Sequence, residues 1–216
     1  VGFRDSLDEE LDSRIELKNL GIMRGLTDIG IPRGFADYST RKVLTMELVK
    51  GAPLSSAEKE IQSLSDEQRG DLNRVLVTSV MQQVLVHGVF HADLHGGNIM
   101  LTPDHRLVLL DFGSVGRVDR PSRKAMMGLL VALDLQDGAA AVAALRRLLI
   151  EPANLNTRDL ELRIGSLIMR VDSLSTDELF DELFRVLVRA GFQIPGGIAA
   201  AFRCLGALEG TLKLLA

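Results

Sequence analysis

The segment His91-Ala92-Asp93-Leu94-His95-Gly96-Gly97-Asn98, followed a short way on by Asp111-Phe112-Gly113, constrains this chain more than any other feature. Between the two lie apolar runs, Ile99-Met100-Leu101 and Leu107-Val108-Leu109-Leu110, and Thr102-Pro103-Asp104-His105-Arg106 separates them in the manner of a hairpin turn. A hairpin returns the end of its second strand to the place where its first strand began, so Asp111 is predicted to lie beside Asn98. Two carboxylates and one carboxamide, from Asp93, Asp111 and Asn98, would then converge. Taken singly, Asp93 and Asn98 could be loop caps and Asp111 a turn aspartate, and D-F-G alone is a common tripeptide. The spacing of all three through a hairpin argues for a shared site. Such a set suits phosphate chemistry, which asks for positioning and charge neutralisation more than for covalent catalysis.

The composition has room for a real core: 46% of the 216 residues are hydrophobic and 25% charged. Trp is absent and aromatics are only 4%, so Leu, Val, Ile and Ala must fill that core. A net charge of -4 offers no basic footprint for nucleic acid. Cys204 is the only cysteine, which excludes an internal disulfide, and its apolar setting reads as a buried structural thiol in a reducing compartment. No apolar run reaches the roughly 18 residues of a membrane span. There is no signal peptide, and Val at position 1 reads as the start of a fragment.

Periodicity predicts an amphipathic helix over residues 5–24, carrying Leu7, Leu11, Ile15 and Leu20, with Gly25 and Gly30 breaking the pattern. Residues 33–49 read as two strands, the second over 42–49, ended by Gly51 and Pro53; residues 55–63 read as a short helix. Ser65-Asp66-Glu67-Gln68 has the form of a capping box, opening a long helix through Leu72, Leu76, Val80 and Val84 to His87-Gly88. About five helical segments follow Gly113. Asp119-Arg120-Pro121, Asp137, Asn156-Thr157 and Ser175-Thr176-Asp177-Glu178 start four of them, and Pro195 is expected in the first turn of the last.

H-x-D-L-x-x-x-N followed by D-F-G resembles the catalytic loop and metal-binding loop of the protein-kinase fold. The resemblance implies an α+β, mostly helical chain: a remnant of the small lobe over residues 1–54 and a helical large lobe over 55–216. It implies that Asp93 accepts a hydroxyl proton or orients a water, and that Asn98 and Asp111 hold Mg2+ on the phosphates of ATP. The glycine-rich strand-turn-strand of that fold and its strand lysine are not found, since the lysines are Lys18, Lys42, Lys50, Lys59, Lys124 and Lys213. The small lobe is therefore expected to be truncated, and this chain to bind nucleotide weakly. Helical periodicity resumes near Pro121, leaving no room for a long activation segment and A-P-E element, so a protein substrate is disfavoured.

Residues 9–19, Glu9-Glu10-Leu11-Asp12-Ser13-Arg14-Ile15-Glu16-Leu17-Lys18-Asn19, resemble the E-L-D-x-x-x-E-x-x-N signature of the UbiB (AarF-type) atypical kinase-like family. Leu44 to Gly51 is similar to that family's hinge, His91 to Asn98 to its H-A-D-P-H-P-G-N loop, and Leu208-Glu209-Gly210 to its terminal L-E-G helix. The match departs at Leu94 and Gly96, where the family usually has prolines. By this resemblance Glu10 is the helix glutamate that pairs with the absent lysine. Asp12 and Glu16 would face an amino-terminal K-x-G-Q extension, also absent. Met46, Glu47 and Val49 would line the adenine pocket through backbone groups, and Phe112 and Gly113 would complete the nucleotide site. The family further implies ATPase or phosphotransfer activity linked to ubiquinone or related isoprenoid-lipid metabolism. Its partner in a longer protein would be an isoprenoid lipid or membrane surface, and the location cytoplasmic or membrane-associated.

His91 and His95 show a His-x-x-x-His spacing, but they sit in a glycine-containing loop with no further Cys or His cluster, so a zinc pair is not expected. His91 is expected to pack beneath the loop and bond to backbone, and His95 to stand near the phosphates without a catalytic role. Two rival readings remain. A small-molecule phosphotransferase of the aminoglycoside or choline kinase type shares Leu94 and His95; Asp172, Asp177, Glu178, Asp181 and Glu182 could mimic its acidic pocket, though helix-start charges explain them as well. A nucleotide-sensing pseudokinase module is the other, against which stand the intact Asp93, Asn98 and Asp111.

Overall fold

The computed structural model describes residues 12–216. Asp12 opens the first described helix, α1 (Ser13–Met23), its carboxylate accepting the Arg14 N–H at 3.1 Å. Of the helix expected over residues 5–24, the part before Asp12, with Glu10, lies outside the described residues. The buried face of α1 is Asn19, Leu20 and Met23, and Ile15, expected on the apolar stripe, is exposed.

The two strands expected over residues 33–49 are not regular strands. They form an arm held by isolated pairings, Gly34 with Met46 and Thr40 with Val43. A 3-10 turn at Ala36–Tyr38 bulges the first half, and Ser39 Oγ takes a ladder position, accepting the Thr45 N–H at 3.0 Å and donating to Phe35 O at 2.8 Å. A side chain spliced into the ladder stops it from propagating. Past the arm, β1 (Ala52–Pro53) joins a three-stranded antiparallel sheet in the order β1-β3-β4, with β3 (Ile99–Leu101) and β4 (Leu107–Leu109) forming the expected hairpin. Its register pairs Ile99 with Leu109 and Leu101 with Leu107.

Helices α2 (Glu58–Gln62) and α3 (Asp66–Met81) follow, the second opened by the Ser65–Gln68 capping box. Its last turn widens into a π-turn over Gln82–His87, and Gly88 at φ 68 ends it in the left-handed region. Strand β2 (Val89–His91) then pairs antiparallel with β5 (Val115–Arg117), Phe90 opposite Gly116. A methyl group on Gly116 would lie 2.3 Å from the Phe90 ring, so this crossing requires glycine.

The helical half comprises α4 (Arg120–Asp134), α5 (Gly138–Leu148), α6 (Thr157–Ile168), α7 (Thr176–Arg189) and α8 (Gly196–Leu212). Asp119, Asp137, Asn156 and Ser175 cap the first four, each accepting a backbone N–H of the first turn. Pro195 precedes the last as its N-cap, one position earlier than expected. The core is continuous from Leu20 and Ile29 through Leu76, Phe90, Ile99 and Phe112 to Leu145, Leu187 and Phe202, with Cys204 buried in it. Burial pushes the Cys204 thiol up to about 12, the mark of an unreactive group.

Candidate functional site

The hairpin and the β2–β5 pair bring the ends of two loops together. His91 is the hub. Its Nδ1 accepts the Asp93 backbone N–H at 3.2 Å, which leaves the ring proton on Nε2 to donate to Leu110 O at 2.9 Å. The ring is fully buried, edge-on to Phe112 with centroids 5.3 Å apart, and its backbone N–H donates to Gln83 Oε1 of the π-turn at 3.2 Å. Burial pushes this imidazole below its usual range, against the smaller opposing pull of Leu110 O and the carboxylates of Asp111 and Asp93. It is a neutral structural histidine that locks one loop onto the other.

Asn98 makes the second tie. Leu110 N–H donates to Asn98 O at 2.8 Å, and Asn98 Nδ2 donates to Asp93 O at 3.0 Å. Its Oδ1 is left without a partner among the described residues, on a side chain otherwise nearly buried. Asp111 is a non-glycine residue at φ 57, with Oδ1 accepting the Gly113 N–H at 3.2 Å. Its backbone strain is sustained from both sides, because Leu110 is fixed by His91 and Asn98, and Phe112 by α1. Glu16 Oε1 accepts the Phe112 N–H at 3.1 Å, and Asn19 Nδ2 donates to Phe112 O at 2.8 Å. Burial holds the Glu16 carboxyl above the usual range, the Phe112 N–H draws it back, and the Asp111 charge adds to the rise. Asp93 is exposed, and His95 Nε2 stands 3.8 Å from its Oδ2 while His95 Nδ1 accepts the Gly97 N–H at 3.0 Å.

Asp93, Asn98, Asp111, Phe112 and Gly113 are thus brought together. Glu16 was expected to face an amino-terminal extension, and it turns onto the Phe112 backbone. The signal for it lay in the E-x-x-N spacing, which places Glu16 and Asn19 on one helix face. The hinge residues sit elsewhere. Glu47 and Val49, with Leu48 and Lys50, line a cleft of about 760 Å³ bounded by Ile31, Leu72 and Val108. Glu47 Oε2 accepts the Arg33 N–H at 3.1 Å, and Met46 is outside the cleft lining. This cleft is at the turn end of the hairpin and does not include Asp93, Asn98 or Asp111.

Among the described residues no group of three or more His, Cys, Asp or Glu side chains could hold a metal ion alone. That suits Mg2+, which is commonly held by one or two carboxylates with phosphates and waters completing its shell. A carboxamide oxygen and a carboxylate oxygen, each free while the rest of its side chain is tied down, are donors of the right kind. Three acidic residues of the helical half are engaged elsewhere: Glu182 pairs with Arg170, Asp172 accepts from Gln136, and Glu178 completes the Ser175 cap. No helix among the described residues is long and apolar enough to cross a membrane.

The fold and the loop geometry define a kinase-like protein. Rv3197 of Mycobacterium tuberculosis, solved as a complex with erythromycin, matches 96% of this chain and 55% of its own with a TM-score of 0.63 at 21% identity, a likeness of fold. Residues 2–145 match the ABC1 atypical kinase-like domain, and the chain belongs to that family. Among curated relatives, ACTIVITY OF BC1 COMPLEX KINASE 3, chloroplastic, of Arabidopsis thaliana is 32% identical over 85% of this chain and 26% of its own length. An aarF domain-containing protein kinase of the same organism's chloroplast is 31% identical over 95% of this chain and 30% of its own. An uncharacterized protein of Mycobacterium tuberculosis is 32% identical over 74% and 35%. The chain spans between 26% and 35% of the length of these curated relatives.

Proposed function

We propose that this chain carries the phosphate-binding half of an ATP- and Mg2+-dependent site, serving ATPase or phosphotransfer chemistry in the longer protein. The observation that carries it is that the hairpin sets Asn98 opposite Leu110, next to Asp111, with Asn98 Oδ1 and Asp111 Oδ2 unpartnered among the described residues while the other polar atom of each side chain is bonded. In this reading Asn98 Oδ1 and Asp111 Oδ2 hold the metal, which neutralises phosphate charge when bound. Asp93, exposed at the mouth of the site, accepts the proton of the attacking hydroxyl or orients a water. Phe112 anchors the loop from beneath, and Gly113 supplies the N–H that orients the Asp111 carboxylate. Residues 1–54 act as the remnant of a small lobe over the large lobe of 55–216.

Met46, Glu47 and Val49 are proposed to approach the adenine through backbone groups. Over the three residues of β3 the hairpin spans about 10 Å, so these residues are separated from the metal site by roughly the reach of an extended nucleotide. Glu10 is the proposed partner of a lysine from another part of the protein. The stretch between Gly113 and α4 contains only β5 and its flanks, which gives no platform for a peptide, so a small or lipid acceptor is favoured over a protein. An isoprenoid lipid, in the quinone-linked chemistry implied by the family resemblance, is the acceptor class proposed for the longer protein. The test is Mg2+-dependent ATP turnover in that longer protein without added acceptor. Turnover abolished by Asp111→Asn, with nucleotide binding retained but turnover lost in Asp93→Asn, supports the reading. Turnover unchanged in both variants would sink it.

A further inference from the structure

Asp111 occupies the left-handed region, where a residue with a Cβ stays only if its neighbours over-determine it. The residue before it is held by His91 and Asn98, which belong to the same loop system. The residue after it is held by groups remote in sequence. Asn19 donates to Phe112 O across a separation of 93 residues, and Glu16 accepts the Phe112 N–H across 96. Both backbone groups of one residue are therefore saturated by side chains one helical turn apart on α1. Asn19 is 8% exposed, Phe112 is fully buried, and this main chain has no alternative partner among the described residues. A carboxamide and a carboxylate spaced this way imitate the donor and acceptor of a neighbouring strand.

We infer that Asn19 and Glu16 are positioning residues: they clasp the Phe112 main chain and thereby fix the direction in which Asp111 presents its carboxylate. The inference rests on the metal-binding reading above and adds that metal affinity depends on a side chain that never touches the metal. Release of the clasp frees the peptide after Asp111 to rotate, and the carboxylate then samples directions away from Asn98 Oδ1. Docking of α1 and occupation of the site become linked, so each favours the other.

Hydrogen exchange of residues 110–114 and Mn2+ titration in the presence of ATP test this on the present chain. Asn19→Asp removes the donor at constant shape, and Asn19→Ala removes it without burying a charge. Leu187→Ala, a fully buried position in α7, is the control for lost stability alone. The clasp predicts faster exchange at 110–114 and about tenfold weaker Mn2+ binding in both Asn19 variants, the scale of one buried hydrogen bond. Leu187→Ala, studied well below its melting temperature, should keep the parent's Mn2+ affinity. Unchanged exchange at 110–114 overturns the clasp, and faster exchange with unchanged Mn2+ affinity overturns its link to the metal. A parent that binds no Mn2+ overturns the metal-site reading itself and this inference with it, a result distinct from the other two.

Discussion

The two ends of the β3–β4 hairpin are built in opposite ways. At the end carrying Asn98 and Asp111, the segment Leu110-Asp111-Phe112 is bonded by the loop through His91 and Asn98, and by α1 through Glu16 and Asn19. At the turn end, Thr102–Arg106 and the hinge residues face each other across an open cleft. The arm above that cleft holds itself by isolated pairings, with Leu48 83% and Tyr38 73% exposed. Hydrogen bonds from outside the hairpin are concentrated at the end that carries Asn98 and Asp111. A densely bonded acid end beside a loosely built cleft suits the phosphate and metal reading proposed above.

Substitutions should expose this contrast, and the largest effect belongs to the anchor. Phe112→Ala empties a fully buried position next to Asp111 and should cost about 3–5 kcal/mol in chemical denaturation. Next comes His91→Gln, which breaks ties to both Leu110 O and the Asp93 N–H and should cost about 2 kcal/mol. The same histidine carries a pH signature. Its folded-state pKa is depressed, chiefly by burial, so the unfolded chain binds the proton more readily. Stability should then fall as pH drops below the ordinary imidazole value of about 6.5 and level off beneath the folded value. Urea melts between pH 7.5 and 5 should show that slope in the parent and a shallower one in His91→Gln.

A smaller effect is expected at Gly96, where a Cβ would stand 2.5 Å from Leu214 Cδ1 and 3.2 Å from Ser55 N. Gly96→Pro restores the residue usual in the family loop and should cost about 1–2 kcal/mol by overpacking. Leu214→Ala in the same chain should recover part of the loss, because it removes the tighter of these two contacts and leaves the one to Ser55 N. At the hinge end, Leu48→Ala should change stability by less than about 0.5 kcal/mol. A large loss there would break the contrast between the two ends.

The hairpin, the loop constellation and the helix starts were legible because each is written locally. Ser65, Asp119, Asp137, Asn156 and Ser175 cap helices by reaching backbone groups three residues away. His91 beneath the loop and Cys204 in the core were equally readable, since a histidine between apolar residues and a cysteine in an apolar helix have few other places to go. The arm over residues 33–49 was not, because alternation cannot reveal that Ser39 will occupy a ladder position. The π-turn before Gly88 and the inward turn of Glu16 and Asn19 were also out of reach. The π-turn meets the chain again at His91, eight residues from Gln83, and Glu16 and Asn19 meet Phe112 across 96 and 93 residues. The E-x-x-N spacing marked a helix face without saying what that face meets.

The most direct test of the central claim is the melting temperature of this chain with millimolar ATP, with and without Mg2+, beside its Asp111→Asn variant. A ligand that binds only the folded state stabilises it by RT ln(1 + L/Kd), where L is its free concentration, and so raises that temperature. The account predicts an ATP-induced rise in the parent that requires Mg2+ and is lost in Asp111→Asn. A rise that is the same without Mg2+, or that persists in the variant, would contradict it.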